Sequence, residues 1–186
     1  MKTLLVAIIA FMSTGLISAQ TEVGGVKLPN SETYQGQSLT LNGAGVREKL
    51  WIDLYAGGLY LAKKTSDAAE VVSSNEPMSI KLHIVSKLIT SDKMIEAVNE
   101  GFENATGGNT KPLASEIKKF KSFFMEEIKK NDVFDIVYLP ETGVTAYKND
   151  KELGTIEGMA FKKALFGIWF SNRPADDDLK EAMLGK

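Results

Sequence analysis

The chain contains no cysteine and only one histidine, His83. The first absence removes disulfides, thiolate nucleophiles and cysteine-held metals. The second leaves all imidazole chemistry to one side chain, placed on the polar side of an alternating strand pattern with no nucleophile evident beside it. No G-x-S-x-G, P-loop or H-E-x-x-H pattern occurs. Neither charge dominates: 22 basic and 24 acidic side chains in 186 residues give a formal net charge of −2. That near balance offers no basic stripe for nucleic acid and no polybasic patch for anionic lipid. Internal repeats and low-complexity tracts are also missing, and beyond the N-terminus no apolar run is long enough to span a membrane.

The N-terminus is more informative. Met1-Lys2-Thr3 is followed by an uncharged stretch from Leu4 to Met12, and Ile17-Ser18-Ala19 precedes Gln20. A short basic start, an apolar segment and a small residue at the last position are the parts of a signal peptide. The apolar part is shorter than the ~20 residues of a spanning helix. Residues 1–19 are therefore expected to be removed after Ala19, leaving a periplasmic or secreted protein. The leader carries only Lys2 among charged residues, and the remainder has the length of one ordinary domain with a real core. The expected organisation is a signal peptide over 1–19, an N-terminal arm over 20–35 that begins loose and polar and holds short extended pieces at Leu28 and Tyr34, and one domain over 36–186, monomeric and without cofactor or metal.

Strand signals come first. Leu39 and Leu41 lead into Gly43-Ala44-Gly45-Val46, where glycines in a strand mark close backbone approach. Leu50 to Ala62 is rich in strand formers around Gly57-Gly58, and Met78 to Val85 alternates apolar and polar residues. Two helices follow. One begins after Thr90-Ser91-Asp92, a capping cluster. The other runs from Pro112 to about Lys130 with Leu113, Ile117, Phe120, Phe124 and Ile128 on one face. Val133 to Ile156 reads as an antiparallel meander, Met159 to Phe170 as a buried helix, and Asp176-Asp177-Asp178 as the start of a last short helix whose dipole the carboxylates offset. Strands, helices, strands and helices in that order predict an α+β fold.

One stretch stands apart. Arg47 directly follows the glycine-rich strand end, and Tyr55 and Tyr60 lie on the next, otherwise apolar strand. If Glu48 to Leu50 turns a hairpin, Arg47 and Tyr55 approach each other. An Arg there holds a carboxylate or phenolate bidentately, and a Tyr hydroxyl shares the load while its ring lines an apolar wall. The alternative from the residues alone is a surface Arg47 paired with Glu48.

At these residues the chain resembles the chalcone isomerase-like superfamily, and in particular its exported bacterial branch. Gly43-Ala44-Gly45-Val46-Arg47 is similar to the G-x-G-V-R element of that family, and Tyr55-Ala56-Gly57-Gly58-Leu59-Tyr60-Leu61 to its following strand. Phe161-Lys162-Lys163-Ala164-Leu165-Phe166-Gly167-Ile168-Trp169-Phe170, Arg173-Pro174 and Leu179 to Gly185 are similar to its closing helices. The resemblance implies an open-faced β-sandwich, a large antiparallel sheet with a helical layer and a cleft between. It implies that Arg47 holds either the phenolate of a chalcone, as in catalytic members, or the carboxylate of a fatty acid, as in binding members. Tyr55 stands where isomerases carry Thr and fatty-acid binders carry Tyr. Residues 90–98 lack the Tyr that organises the catalytic water, and Asn99 is the position that matches a later Asn of that helix. The expectation is therefore a non-catalytic binding protein for a lipophilic acid, with Arg47, Tyr55, Tyr60 and Asn99 around the ligand. The rivals are an intramolecular lyase closing a phenol onto an enone, and a structural or interaction module of the envelope.

Overall fold

The structure, a computed structural model, describes residues 20–186, so the expected leader and its cleavage at Ala19 lie outside the described residues. Seven strands form one sheet: β3 (Ser31–Tyr34), β4 (Gln37–Lys49), β5 (Ile52–Leu61), β6 (Met78–Ile84), β7 (Val133–Leu139), β8 (Gly143–Lys148) and β9 (Lys151–Ile156). Their spatial order is their sequence order, and every neighbouring pair is antiparallel. The expected 133–156 meander is thus the continuation of one larger meander.

Residues 20–35 are not a loose arm. β1 (Gln20–Val23) and β2 (Val26–Pro29) form a hairpin about Gly24-Gly25, and β3 joins the edge of the main sheet. Both glycines have positive φ, which a tight two-residue turn requires. The short extended pieces expected at Leu28 and Tyr34 are β2 and β3, and Leu28 is packed away from solvent on the bare side of Gly58.

Among the described residues, five α-helices cover one face of the sheet or its ends: α1 (Ala68–Ser73), α2 (Ser91–Ala105), α3 (Ala114–Ser122), α4 (Met159–Phe170) and α5 (Asp177–Met183). The Thr90 hydroxyl caps α2 by accepting from the Lys93 amide, and Asp176 caps α5 by accepting from Leu179. The helix expected to reach Lys130 stops at Ser122. Here tertiary packing overrides periodicity. The Ser91 hydroxyl donates to the Phe124 carbonyl, the acceptor that a continuing helix would need for residue 128. The Phe124 ring instead sits 5.2 Å from both the Phe120 and Phe134 centroids.

The core lies between the sheet and α2, α3 and α4, and α4 is apolar on nearly every side. Its one buried cation, Lys162, donates to the carbonyls of Val71, Val72 and Ser74, at 2.7, 3.0 and 2.9 Å. It thereby closes the C-terminal end of α1, where unpaired carbonyls and the helix dipole favour a cation. Helix α5 lies directly on β4. A Cβ at Gly43 would stand 2.2 Å from the Ala182 carbonyl oxygen, and one at Gly45 2.6 Å from the Ala182 Cβ. The two glycines are therefore the floor on which α5 rests. Asn42 locks that contact, donating to the carbonyls of Met183 (2.9 Å) and Thr65 (3.0 Å). Among the described residues, no helix is long and apolar enough to cross a membrane.

Candidate functional site

Strand β4 leaves the shelter of α5 at Arg47, and β5 returns past it. The hairpin turns at Leu50-Trp51, with Lys49 opposite Ile52 and Glu48 opposite Asp53. The register then slips by one residue, so that Arg47 faces Tyr55 and Leu54 has no partner. A bulge of this kind re-aims side chains. Leu54 and Tyr55, which regular alternation would send to opposite faces, both turn toward the helices.

The Arg47 guanidinium carbon lies 5.8 Å from the centre of the Tyr55 ring. Tyr55 is buried, and its hydroxyl accepts a 3.0 Å hydrogen bond from the Trp169 indole on α4. Burial raises the Tyr55 pKa, and the neighbouring Arg47 charge and the Trp169 bond offset only part of that rise. The phenol therefore keeps its proton at neutral pH. With one lone pair taken by the indole, and no acceptor for its proton among the described residues, it is free to donate to an oxygen placed beside Arg47. Arg47 itself is half-buried and forms no ion pair among the described residues, with Glu48 or any other carboxylate. The Asp176 carboxylate is near enough to act on Tyr55, but its Oδ1 caps α5 by accepting from the Leu179 amide.

Two spaces border this pair. The outer chamber, of about 350 Å³, lies between the β4–β5 hairpin and α2. Leu50, Ile52, Leu54, Leu88, Ile89, Met94 and Ala97 make its walls apolar, and Lys49, Lys93, Glu96 and Glu100 stand around it. The inner space is only about 30 Å³, because Phe120, Phe124, Ile168 and Trp169 nearly fill it. Arg47 and Tyr55 border both. Apolar walls with a few convergent polar groups are what a small-molecule site needs. A larger groove of about 490 Å³ runs past Asp132 and Lys148. Those two charges pair at 3.2 Å, and with Leu153 as its one apolar lining residue the groove lacks the apolar walls of the chamber.

Of the four residues expected at the ligand, the structure brings Arg47 and Tyr55 together and leaves Tyr60 and Asn99 elsewhere. Tyr60 lies on the opposite face of the sheet with Leu39 and Leu41, and its hydroxyl donates to the Pro29 carbonyl at 2.9 Å. Strand alternation already separates it, since Tyr55 and Tyr60 are an odd number of residues apart. Asn99 is exposed on α2, turned away from the side that carries Met94 and Ala97 into the chamber. Trp169 was not singled out from the sequence. It sat inside an apolar helix with nothing to mark which of its faces would reach a β5 tyrosine. His83 lies on the far side of the sheet from this chamber, its Nε2 buried without a partner and its pKa lowered by burial and by Lys81.

The fold recurs in the crystal structure of a fatty-acid binding protein of Arabidopsis thaliana. It superposes with a TM-score of 0.67 at 19% sequence identity, over 86% of this chain and 92% of that one. No curated protein sequence matches the chain. A family model described as chalcone isomerase-like matches almost the whole described length. By that match over residues 20–185, the chain belongs to the chalcone isomerase-like family.

Proposed function

We propose that this domain binds a lipophilic acid, a fatty acid in the first instance, with its carboxylate at Arg47 and its tail in the outer chamber. The observation that carries the reading is the unpaired, half-buried Arg47 beside a protonated Tyr55 at the wall of an apolar space. A guanidinium and a phenol hydroxyl together supply charge-assisted donors to a carboxylate. The inner space is too small for an acyl tail, so the tail runs outward between Leu54, Leu88 and Met94 toward the hairpin tip. The fatty-acid binding protein that shares the fold supports a binding role.

We also propose that the protein works outside the cytoplasm, after removal of residues 1–19. Intact-mass spectrometry of the processed protein should then give the mass of residues 20–186, less ammonia where Gln20 has cyclised, and retention of Met1 would refute export by this route. For the ligand, the protein purified from its host is extracted and the extract examined by mass spectrometry. Fatty acids at near-stoichiometric amounts are expected. A clean extract combined with no uptake of long-chain acids in titration would refute the reading.

A further inference from the structure

Leu50 and Trp51 form the tip of the β4–β5 hairpin and are 75% and 89% exposed. Both have positive φ, +52° and +62°, in a loop of only two residues. That backbone favours Asn-Gly, and bulky side chains in it are strained. A strained turn that holds Leu and Trp in water does nothing for the stability of the domain, so its use lies outside the domain. Ile52 and Leu88 extend the apolar surface, and with Leu50 they form the outer end of the chamber. The sequence has no basic run, yet the fold brings Lys49 and Lys93 to the chamber lining, and Lys87 directly precedes the exposed Leu88. All three are exposed and outside any ion pair among the described residues. Glu48 and Asp53 oppose each other across the hairpin and line no part of the chamber, while Glu96 and Glu100 follow Lys93 along α2, away from its capped end.

We propose that the tip is a membrane-docking element. Trp51 and Leu50 enter the boundary between headgroups and acyl chains, where a Trp ring is at home, and the three lysines meet anionic headgroups. The outer chamber then faces the bilayer, and a lipophilic acid passes between the two without crossing water. That passage rests on the binding reading above, whereas docking does not.

The test uses the protein from Gln20 onward, which carries the whole described fold, with phosphatidylcholine vesicles prepared with and without phosphatidylglycerol. Trp169 is already shielded in the core, so a vesicle-induced blue shift in emission reports Trp51. Co-sedimentation is expected with the phosphatidylglycerol vesicles, weakened by salt and accompanied by the blue shift. The double variant Leu50→Asn/Trp51→Gly installs the favoured turn. It should fold at least as stably and lose roughly tenfold or more in vesicle affinity, and the single variant Trp51→Gly, at a residue outside the chamber lining, should keep its fatty-acid titration in solution. Unchanged emission without sedimentation, or a double variant that sediments like the wild type, would overturn docking. So would a dimer in sedimentation velocity that the double variant abolishes, since the occupant of the tip would then be a second copy of the chain. Docking with no fatty-acid uptake would uphold the membrane contact and overturn the binding reading alone.

Discussion

The Trp169 indole donates to the Tyr55 hydroxyl at 3.0 Å, and so fixes which way that hydroxyl can give its own proton. One acceptor position is filled from α4, and the remaining proton is left for an oxygen beside Arg47. Tyr55→Phe removes the donor and should weaken fatty-acid binding roughly tenfold, the usual worth of one hydrogen bond to a charged group. Trp169→Phe keeps the donor but frees its direction, and should weaken binding less. If the two residues act as one unit, the double variant falls well short of the sum of the singles in calorimetric titration.

The glycines before Arg47 are tested through stability. Gly45→Ala sets a methyl 2.6 Å from the Ala182 Cβ, which is held by the α5 backbone, at a cost of about 1–3 kcal/mol. Gly43→Ala sets it closer still, 2.2 Å from the Ala182 carbonyl oxygen and 2.8 Å from the Met183 carbonyl oxygen and the Gly185 nitrogen, so α5 must move further. Urea denaturation should therefore rank Gly43→Ala as the more damaging, and equal midpoints for both variants and the wild type would contradict the role of this floor.

Lys162 gives a prediction in pH. Burial pushes its pKa down to about 8. Between that value and the ordinary lysine range the unfolded chain binds more protons than the native one, so this group makes stability rise with pH. Below pH 8 both states are protonated and the full cost of the buried charge is present. The gain is partial, because a neutral amine has two N–H donors for three carbonyls. Lys162→Met should lack this rise over pH 8 to 10 and should lose about 3 kcal/mol or more at neutral pH, since it strands the carbonyls of Val71, Val72 and Ser74. Thermal denaturation of both proteins across that range measures the difference.

Much of this was legible in the residues, and what was not has physical causes. Gly43 and Gly45 announced a close approach, and α5 makes it. Thr90 and Asp176 announced helix starts, and both cap one. The Arg47–Tyr55 contact followed from assuming a hairpin near Glu48, although the turn falls at Leu50-Trp51. Those two residues disfavour the backbone they adopt, so no turn rule finds them. The bulge at Leu54 was equally silent, because it depends on register and not on composition. In the arm over 20–35 the extended pieces at Leu28 and Tyr34 were legible, whereas the pairing of β1 with β2 was not, because polar residues outnumber the one buried anchor, Leu28. The end of α3 depends on a hydrogen bond from Ser91, more than thirty residues away. Tyr60 could have been excluded by counting along the strand, whereas Trp169 could not have been included.

The central claim is that Arg47 is the acid-binding group of the outer chamber. Isothermal titration of the protein from Gln20 onward with a fatty acid, beside Arg47→Ala and Arg47→Lys, tests it most directly. Saturable one-to-one binding is expected, weakened roughly 10- to 100-fold in Arg47→Ala and less in Arg47→Lys, which keeps the charge but loses the planar fork. Equal affinity in all three proteins, or no binding in the wild type, would contradict it.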